Sequence, residues 1–388
     1  MNDREQGRRW RLILGRYADR SLAGSGGRGG ALEAADLDLD QVLGFLYDRQ
    51  YTERGHLLNR PDGIGQGRDQ GGGSGPSALT AITWLERTRK LFPQETFERL
   101  QTEAVERYGM TDLLADPSTA ASLVPSPQLG AALLALRGKL DADLKDGVRT
   151  VIARVVADIV ARLKTAFTSA LTGRRDRFRR SVVPRAQDFD WRGTIRANLK
   201  NYDPVDRRLI VDQTRFTARA RRHLAWDVIL CVDQSASMAS SVLYSAVCAS
   251  ILAALPGIEV RLLLFDTSVV DMTAQAHDPV DVLMTAQLGG GTDIARAVAF
   301  AEALVKRPAR TVLVLISDFE EGGSIPQLLA AVGRLRGAGV TLLGLAALDE
   351  SAAPAYDRRV GTMLAERGMA IAALTPEHLA EWLAEVMG

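Results

Sequence analysis

Residues 226–233 read WDVILCVD, and residues 234–241 continue QSASMASS. The first eight are apolar apart from Asp227 and the closing Asp233, which is the composition of a strand covered on both faces. Immediately after it, residues 231–241 pack one carboxylate and four hydroxyls into a few positions, with Ser235 and Ser237 at the second and fourth places after Asp233. A buried strand that ends in an oxygen-rich turn asks what those oxygens hold.

Outward from that stretch, apolar runs alternate with amphipathic segments to the end of the chain. Residues 258–266, 311–318, 340–348 and 369–374 have strand composition, and 269–273 reads as a short edge strand. Residues 241–255, 278–286, 292–306, 325–339, 354–367 and 375–387 carry apolar residues at helical spacing. Strict alternation of strand and helix, with strands rich in Val, Ile and Leu, predicts a doubly wound, mostly parallel α/β sheet. Ligands of such sheets bind beyond the carboxyl ends of the strands, where Asp233 and Asp318 fall.

The first half follows another pattern. Residues 37–51, 77–109 and 128–171 have helical spacing and almost no strand-like alternation, so an all-helical N-terminal domain is expected over residues 1–173. Two Gly-rich pieces interrupt it, GSGGRGG at 24–30 and GIGQGRDQGGGSG at 63–75. Neither has the Gly and Lys spacing of a phosphate-cradling loop, and both read as flexible loops. Residues 174–223 form a basic connector: from Arg174 to Arg222 there are 15 Lys or Arg against 6 Asp or Glu, a net +9 where the whole chain has +1. Its reading as a solvated or internally paired linker stands beside contact with an acidic protein surface, or with nucleic acid through Arg179, Arg180, Arg221 and Arg222. Phe178, Trp191, Tyr202 and Phe216 either stack bases or anchor the linker. Residues 224–388 are the α/β domain.

At 388 residues the chain is long enough for two cores, and its 46% hydrophobic and 24% charged residues are those of a globular protein. No apolar stretch approaches the ~18 residues needed to span a bilayer. The start, MNDREQGRRWRLILGR, is charged and lacks a secretory core, so a cytoplasmic protein without membrane partners is expected. Cys231 and Cys248 are the only cysteines, one on a strand and one on a helix, which excludes a disulfide scaffold or a Cys-based zinc site.

The remaining chemistry gathers at three strand ends. Asp233, Ser235 and Ser237 follow the first strand, Thr292 follows a run of three glycines and opens a helix, and Asp318 closes TVLVLISD. Each has an ordinary explanation as a helix cap or loop residue. Together, if the strands are neighbours, they bring three hydroxyls and two carboxylates to one edge, which suits a hard divalent cation wanting about six oxygens. With no third carboxylate, a bound ion keeps affinity for an outside oxygen, such as a partner's Asp or Glu. Asp293 and Asp266 are candidates to support the site from behind, and Glu320 with Glu321 to flank it.

DQSAS, GGGTD and VLVLISD resemble the metal-ion-dependent adhesion site of the von Willebrand factor A (VWA) domain family. The resemblance implies that Ser235, Ser237 and Thr292 ligate the ion directly and that Asp233 and Asp318 act largely through water, the cofactor being Mg²⁺, or Mn²⁺ or Ca²⁺. Further segments, RRWRLILG, GPSALTAITWLERTRKLFP, DFDWRGTIRANLKNY and LISDFEEGG, are similar to bacterial CoxE-like VWA proteins associated with MoxR. This implies work beside a MoxR-type AAA+ ATPase and a protein client. The expectation is a non-enzymatic binding module that grips a partner carboxylate through the ion.

Enzyme readings fit less well. There is no GxSxG, and His56, His223, His277 and His378 sit in no recognisable triad context. A dehalogenase-like, metal-dependent phosphatase needs a second acid two residues after Asp233, where the chain has Ser235. An RNA-binding protein using the basic connector is the other alternative, and it predicts affinity falling steeply with salt.

Overall fold

The computed structural model describes residues 3–15, 32, 34–53, 81–115, 117–139, 144–171, 175–180, 189–204, 206–219, 226–348 and 356–387. Both Gly-rich pieces, His56, His223, Arg221 and Arg222 lie outside these residues, as do the side chains of Arg179 and Arg180. The chain divides into two compact units, Met1–Ile152 and Ala153–Gly388.

The first unit is helical: α1 (Asp3–Leu14), α2 (Ala34–Glu53), α3 (Ala81–Leu91), α4 (Gln94–Glu106), α5 (Pro127–Leu136) and the start of α6 (Lys145–Leu171), with short turns at Asp112–Ala115 and Pro117–Ser122. Trp84, fully buried on α3, stacks on Phe45 and donates its indole N–H to the Val42 carbonyl at 3.0 Å, which ties α3 to α2. Gln101 is equally buried and its amide pairs both ways with the Val124 backbone at 2.9 Å, so no polar group is left unsatisfied between α4 and the turn before α5.

The second unit continues α6, whose apolar positions Val155, Ile159, Leu163 and Phe167 are all buried at helical spacing. The stretch read as a connector holds folded elements: β1 (Arg175–Arg180), α7 (Trp191–Asn198), β2 (Tyr202–Asp203), β3 (Arg208–Leu209) and β4 (Thr217–Arg219). β1 pairs with β4, and β2 with β3, both antiparallel. Phe189 meets both Trp191 and Phe216 edge to face, at 4.6 and 5.5 Å between ring centres, so part of the aromatic set of this stretch packs on itself while Trp191 stays largely exposed.

Then come β5 (Trp226–Asp233), α8 (Ala239–Ala253), β6 (Ile258–Phe265), β7 (Val269–Asp271), α9 (Pro279–Thr285), α10 (Ile294–Leu304), β8 (Thr311–Ile316), α11 (Ile325–Gly337), β9 (Thr341–Leu348), α12 (Arg358–Glu366), β10 (Ala370–Leu374) and α13 (Pro376–Val386). They build one six-stranded sheet in the order β10-β9-β8-β5-β6-β7, parallel except for the edge strand β7. This is the doubly wound α/β fold expected from the alternation. On one face, Ile229 and Cys231 of β5, Leu263 of β6 and Leu313 of β8 join a core with α10, α11 and α12. Helix α8 packs on β5, β6 and β9 and is buried almost all round, which is why its sequence is apolar on every side.

Two local details differ from the sequence expectation. Helix α12 starts at Arg358, because the Asp357 carboxylate accepts the N–H groups of Arg359 and Val360 and fixes the N-cap there. At the other end of the sheet, Asp227, the polar exception in β5, is buried and paired with Nε and Nη2 of Arg307.

Among the described residues no helix is long and apolar enough to cross a membrane.

Candidate metal centre

β5 lies between β8 and β6 in the sheet, so the chain leaves it in opposite directions toward its two neighbours. A crevice opens at the carboxyl ends of strands at such a switch point. The register pairs Val232 with Ile316, which sets Asp233 beside Ser317 and the loop that carries Asp318.

Asp233 has no exposed surface. Its Oδ2 accepts the Ser317 hydroxyl at 2.7 Å and its Oδ1 accepts the Ser235 backbone N–H at 2.9 Å. Burial pushes its pKa up, the two serines pull it down, and the negative charge of Asp318 pushes it up again. Ser235 Oγ lies 3.2 Å from Ser237 Oγ, and Ser237 Oγ donates to Asp318 Oδ2 at 3.0 Å. Asp318 Oδ1 accepts the Glu320 N–H at 3.2 Å.

The ordinary explanation of these serines is excluded by geometry. Ser235, at the N-cap position of the short helical turn Ala236–Met238, makes no capping bond with its side chain, and the N-cap position of α8 is held by Met238, which makes none either. Their hydroxyls face each other and Asp318 instead. Ser237 is exposed and Ser235 and Asp318 half-buried, so the cluster opens to solvent while Asp233 backs it from below.

The loop that carries Thr292 is fixed at this end of the sheet by its backbone, held from two sides, and among the described residues no hydrogen bond joins the Thr292 hydroxyl to the serine cluster. Gly289 and Gly290 have φ of +119° and +112°, a conformation that disfavours any side chain, and this lets the loop turn sharply. The Asp293 N–H donates to the Asp266 carbonyl at 2.8 Å, and the Thr292 carbonyl accepts the Gly322 N–H, also at 2.8 Å. A side chain on Gly322 would meet that carbonyl oxygen at 2.7 Å, so the close approach needs glycine. The N-cap of α10 is Asp293, whose Oδ1 accepts the Arg296 N–H at 2.9 Å, and Thr292 is spared that role.

The expected supporting residues divide in their roles. Asp293 caps a helix. Asp266 holds its own turn, accepting the Ser268 N–H at 2.6 Å and hydroxyl at 2.9 Å, and takes the Gln234 amide at 3.2 Å. Glu320 is exposed and lines an open groove with Glu321, Gly322, Tyr356 and Asp357. Glu321 is half-buried and braces the loop, accepting the N–H of Gly323 at 2.7 Å and of Ala295 at 3.2 Å. Burial first, and Asp293 second, raise its pKa.

Two residues that hold the site escaped the sequence reading. Ser317 links Asp233 to the Phe319 N–H, which donates to its hydroxyl at 3.1 Å, and its signal was a hydroxyl directly after the apolar run Val312–Ile316. Gln234 is 3% exposed and joins three loops: its N–H donates to the Phe265 carbonyl, its side-chain oxygen accepts the Gln287 N–H at 3.1 Å, and its carbonyl accepts the Gly289 N–H. Nothing near it in the sequence announces partners some 50 residues away.

The donor set suits a hard cation. It offers hydroxyl and carboxylate oxygens only, with a buried carboxylate beside a second one, and a positive ion relieves both the desolvation and the repulsion. Among the described residues no group of three or more His, Cys, Asp or Glu is placed to hold a metal, so a cation here depends on the hydroxyls.

The chain matches the model of the family described as VWA domain containing CoxE-like protein over residues 159–383. It is 42% identical over 378 residues to YehP of Escherichia coli K12, covering 97% of this chain and 95% of that protein. Among solved structures, BatB from Bacteroides thetaiotaomicron aligns at 14% identity over 42% of this chain and 98% of its own, with a TM-score of 0.32. The ArnB paralog VWA2 from Sulfolobus acidocaldarius aligns at 17% identity over 42% of this chain and 44% of its own, with a TM-score of 0.29. Membership rests on the family match and the full-length relative: the chain belongs to the CoxE-like family of VWA-domain proteins, whose VWA domain is in general a protein-interaction module.

Proposed function

We propose that the protein is a non-enzymatic adaptor that grips a partner through a divalent cation at the edge formed by β5, β8 and the loop before α10. The observation that carries this reading is the meeting of the Ser235, Ser237 and Asp318 oxygens at a solvent-facing edge, with both serines spared from helix capping. Ser235, Ser237 and Thr292 would hold the ion directly, with Asp233 and Asp318 acting mainly through water. Mg²⁺ is the favoured cofactor, with Mn²⁺ or Ca²⁺ as substitutes. When bound, the ion supplies an electrophilic position for a carboxylate oxygen of the partner.

The residues of the chain do the rest. Ser317 and the Ser235 N–H orient Asp233, Gln234 fixes the loops around it, and the acidic groove of Glu320, Glu321 and Asp357 selects what approaches. The similarity to MoxR-associated proteins supports a partner set of a MoxR-type AAA+ ATPase and a client, in the cytoplasm.

The test is co-purification of the full chain with a MoxR-type ATPase of the same cell, in Mg²⁺ and in EDTA, for wild type and Asp233→Ala. Association by wild type in Mg²⁺ alone is expected. Equal association under all four conditions removes the metal from the account, and none under any removes this partner.

A further inference from the structure

Helix α7 buries two polar residues against the protein and leaves its large apolar residues in water, which a surface helix does not ordinarily do. Thr194 and Asn198 are 2% and 1% exposed. Thr194 Oγ1 accepts the Arg215 N–H at 3.0 Å. The Asn198 amide donates to the Gln213 carbonyl at 2.7 Å and accepts the N–H groups of Asp212 and Gln213 at 2.9 Å. With the Asp190 cap on the Gly193 N–H at 2.9 Å, these bonds tie the polar side of the helix to the stretch 212–215.

Those residues stand outside. Trp191, Ile195 and Leu199 recur every fourth position along one side and are 71%, 44% and 59% exposed. The hairpin that follows carries further exposed apolar residues, Tyr202, Ile210 and Val211, and the Ile210 N–H donates to the Asn201 carbonyl to join the two elements. Scattered exposed apolar residues need no explanation, whereas a concentration on neighbouring elements marks an interaction surface.

The border of the patch says what fits it. Arg192, Arg196 and Lys200 each follow an apolar residue of the stripe, Arg207 lies in the hairpin turn and Arg208 opens β3, all exposed. Positive charge outweighs the carboxylates of Asp206 and Asp212, of which Asp206 is paired with Arg208 at 2.9 Å. Four of the six apolar residues are aliphatic and offer no face for base stacking. We propose that this face docks a partner protein presenting an apolar ridge bordered by Asp and Glu, in addition to the metal edge.

The test places a photo-crosslinking amino acid at position 195 of the full chain in the cells that make it, with adducts identified to the residue by mass spectrometry. The expected result is one reproducible partner protein, cross-linked through an apolar segment flanked by carboxylates. With that partner purified, Leu199→Glu and the double variant Arg192→Glu, Arg196→Glu should each weaken binding by about tenfold or more. Their circular dichroism should be unchanged, since all three positions are exposed. Adducts to nucleic acid, to lipid or to this same chain overturn the proposal, as does the absence of adducts. A partner surface lacking carboxylates, or one whose binding ignores the substitutions, overturns it too.

Discussion

Asp233 carries a cost that the fold alone does not recover: its carboxylate is fully buried and faces a second carboxylate. A residue kept for stability would not be placed so. Replacing it therefore separates folding from binding. Asp233→Asn should unfold in EDTA within about 1 kcal/mol of wild type, or above it, because the amide oxygen keeps the Ser235 N–H, the Ser317 hydroxyl turns to accept from the amide nitrogen, and the buried charge is lost. Wild type should gain about 2.7 kcal/mol at Mg²⁺ one hundred times its dissociation constant, and the variant nothing. Denaturant titrations with and without Mg²⁺ check both halves. At this scale the sequence showed every oxygen proposed to touch the ion, since DQSAS, Thr292 and Asp318 sit in recognisable local settings. It hid Ser317 and Gln234, whose roles arise only from contacts across strands, such as the 2.7 Å bond from Ser317 to Asp233.

Loops and helices around the edge are tied by few bonds, and each tie can be cut alone. Gly322→Ala forces a methyl group against the Thr292 carbonyl and breaks the 2.8 Å bond between the two loops. Metal affinity should fall by about tenfold or more, with a stability loss of about 1–2 kcal/mol, readable by calorimetry on one sample. Farther from the edge, Arg334 on α11 makes a two-pronged contact with Glu302 on α10 at 2.7 and 2.8 Å, and holds the carboxyl of Glu302 below its usual pKa. A lowered carboxylate pKa stabilises above the unfolded value, and that contribution is lost as the pH falls through the folded one. Glu302→Gln should thus be slightly less stable than wild type near neutral pH, the gap closing below the ordinary glutamate range and shrinking in high salt. Unfolding midpoints from pH 7 to 3 check this. The elements of the sheet were legible because buried parallel strands and their helices each keep one strong period. The connector was not, because β1 to β4 are two to six residues long and α7 buries Thr194 and Asn198, so its apolar stripe points the opposite way from the rule used to find helices.

The whole molecule puts its chemistry in the second unit, where the family match also lies. The sequence drew the end of the helical domain at 173 because the helical period runs unbroken through α6, whereas the division into units falls inside that helix, after Ile152. Within the second unit two surfaces of different character stand out: a polar edge of hydroxyls and carboxylates, and the apolar, basic-rimmed face of α7 and its hairpin. A protein with two such surfaces is suited to hold two partners at once. If they act separately, Leu199→Glu should leave metal binding untouched. The most direct measurement of the central claim is a Mn²⁺ titration of the full chain followed by electron paramagnetic resonance, for wild type, Ser237→Ala and Leu199→Glu. The account predicts one saturable site, displaced by Mg²⁺, in wild type and Leu199→Glu alike, and affinity at least about tenfold weaker in Ser237→Ala. Saturable binding unchanged by Ser237→Ala, or no saturable binding to wild type, would contradict it.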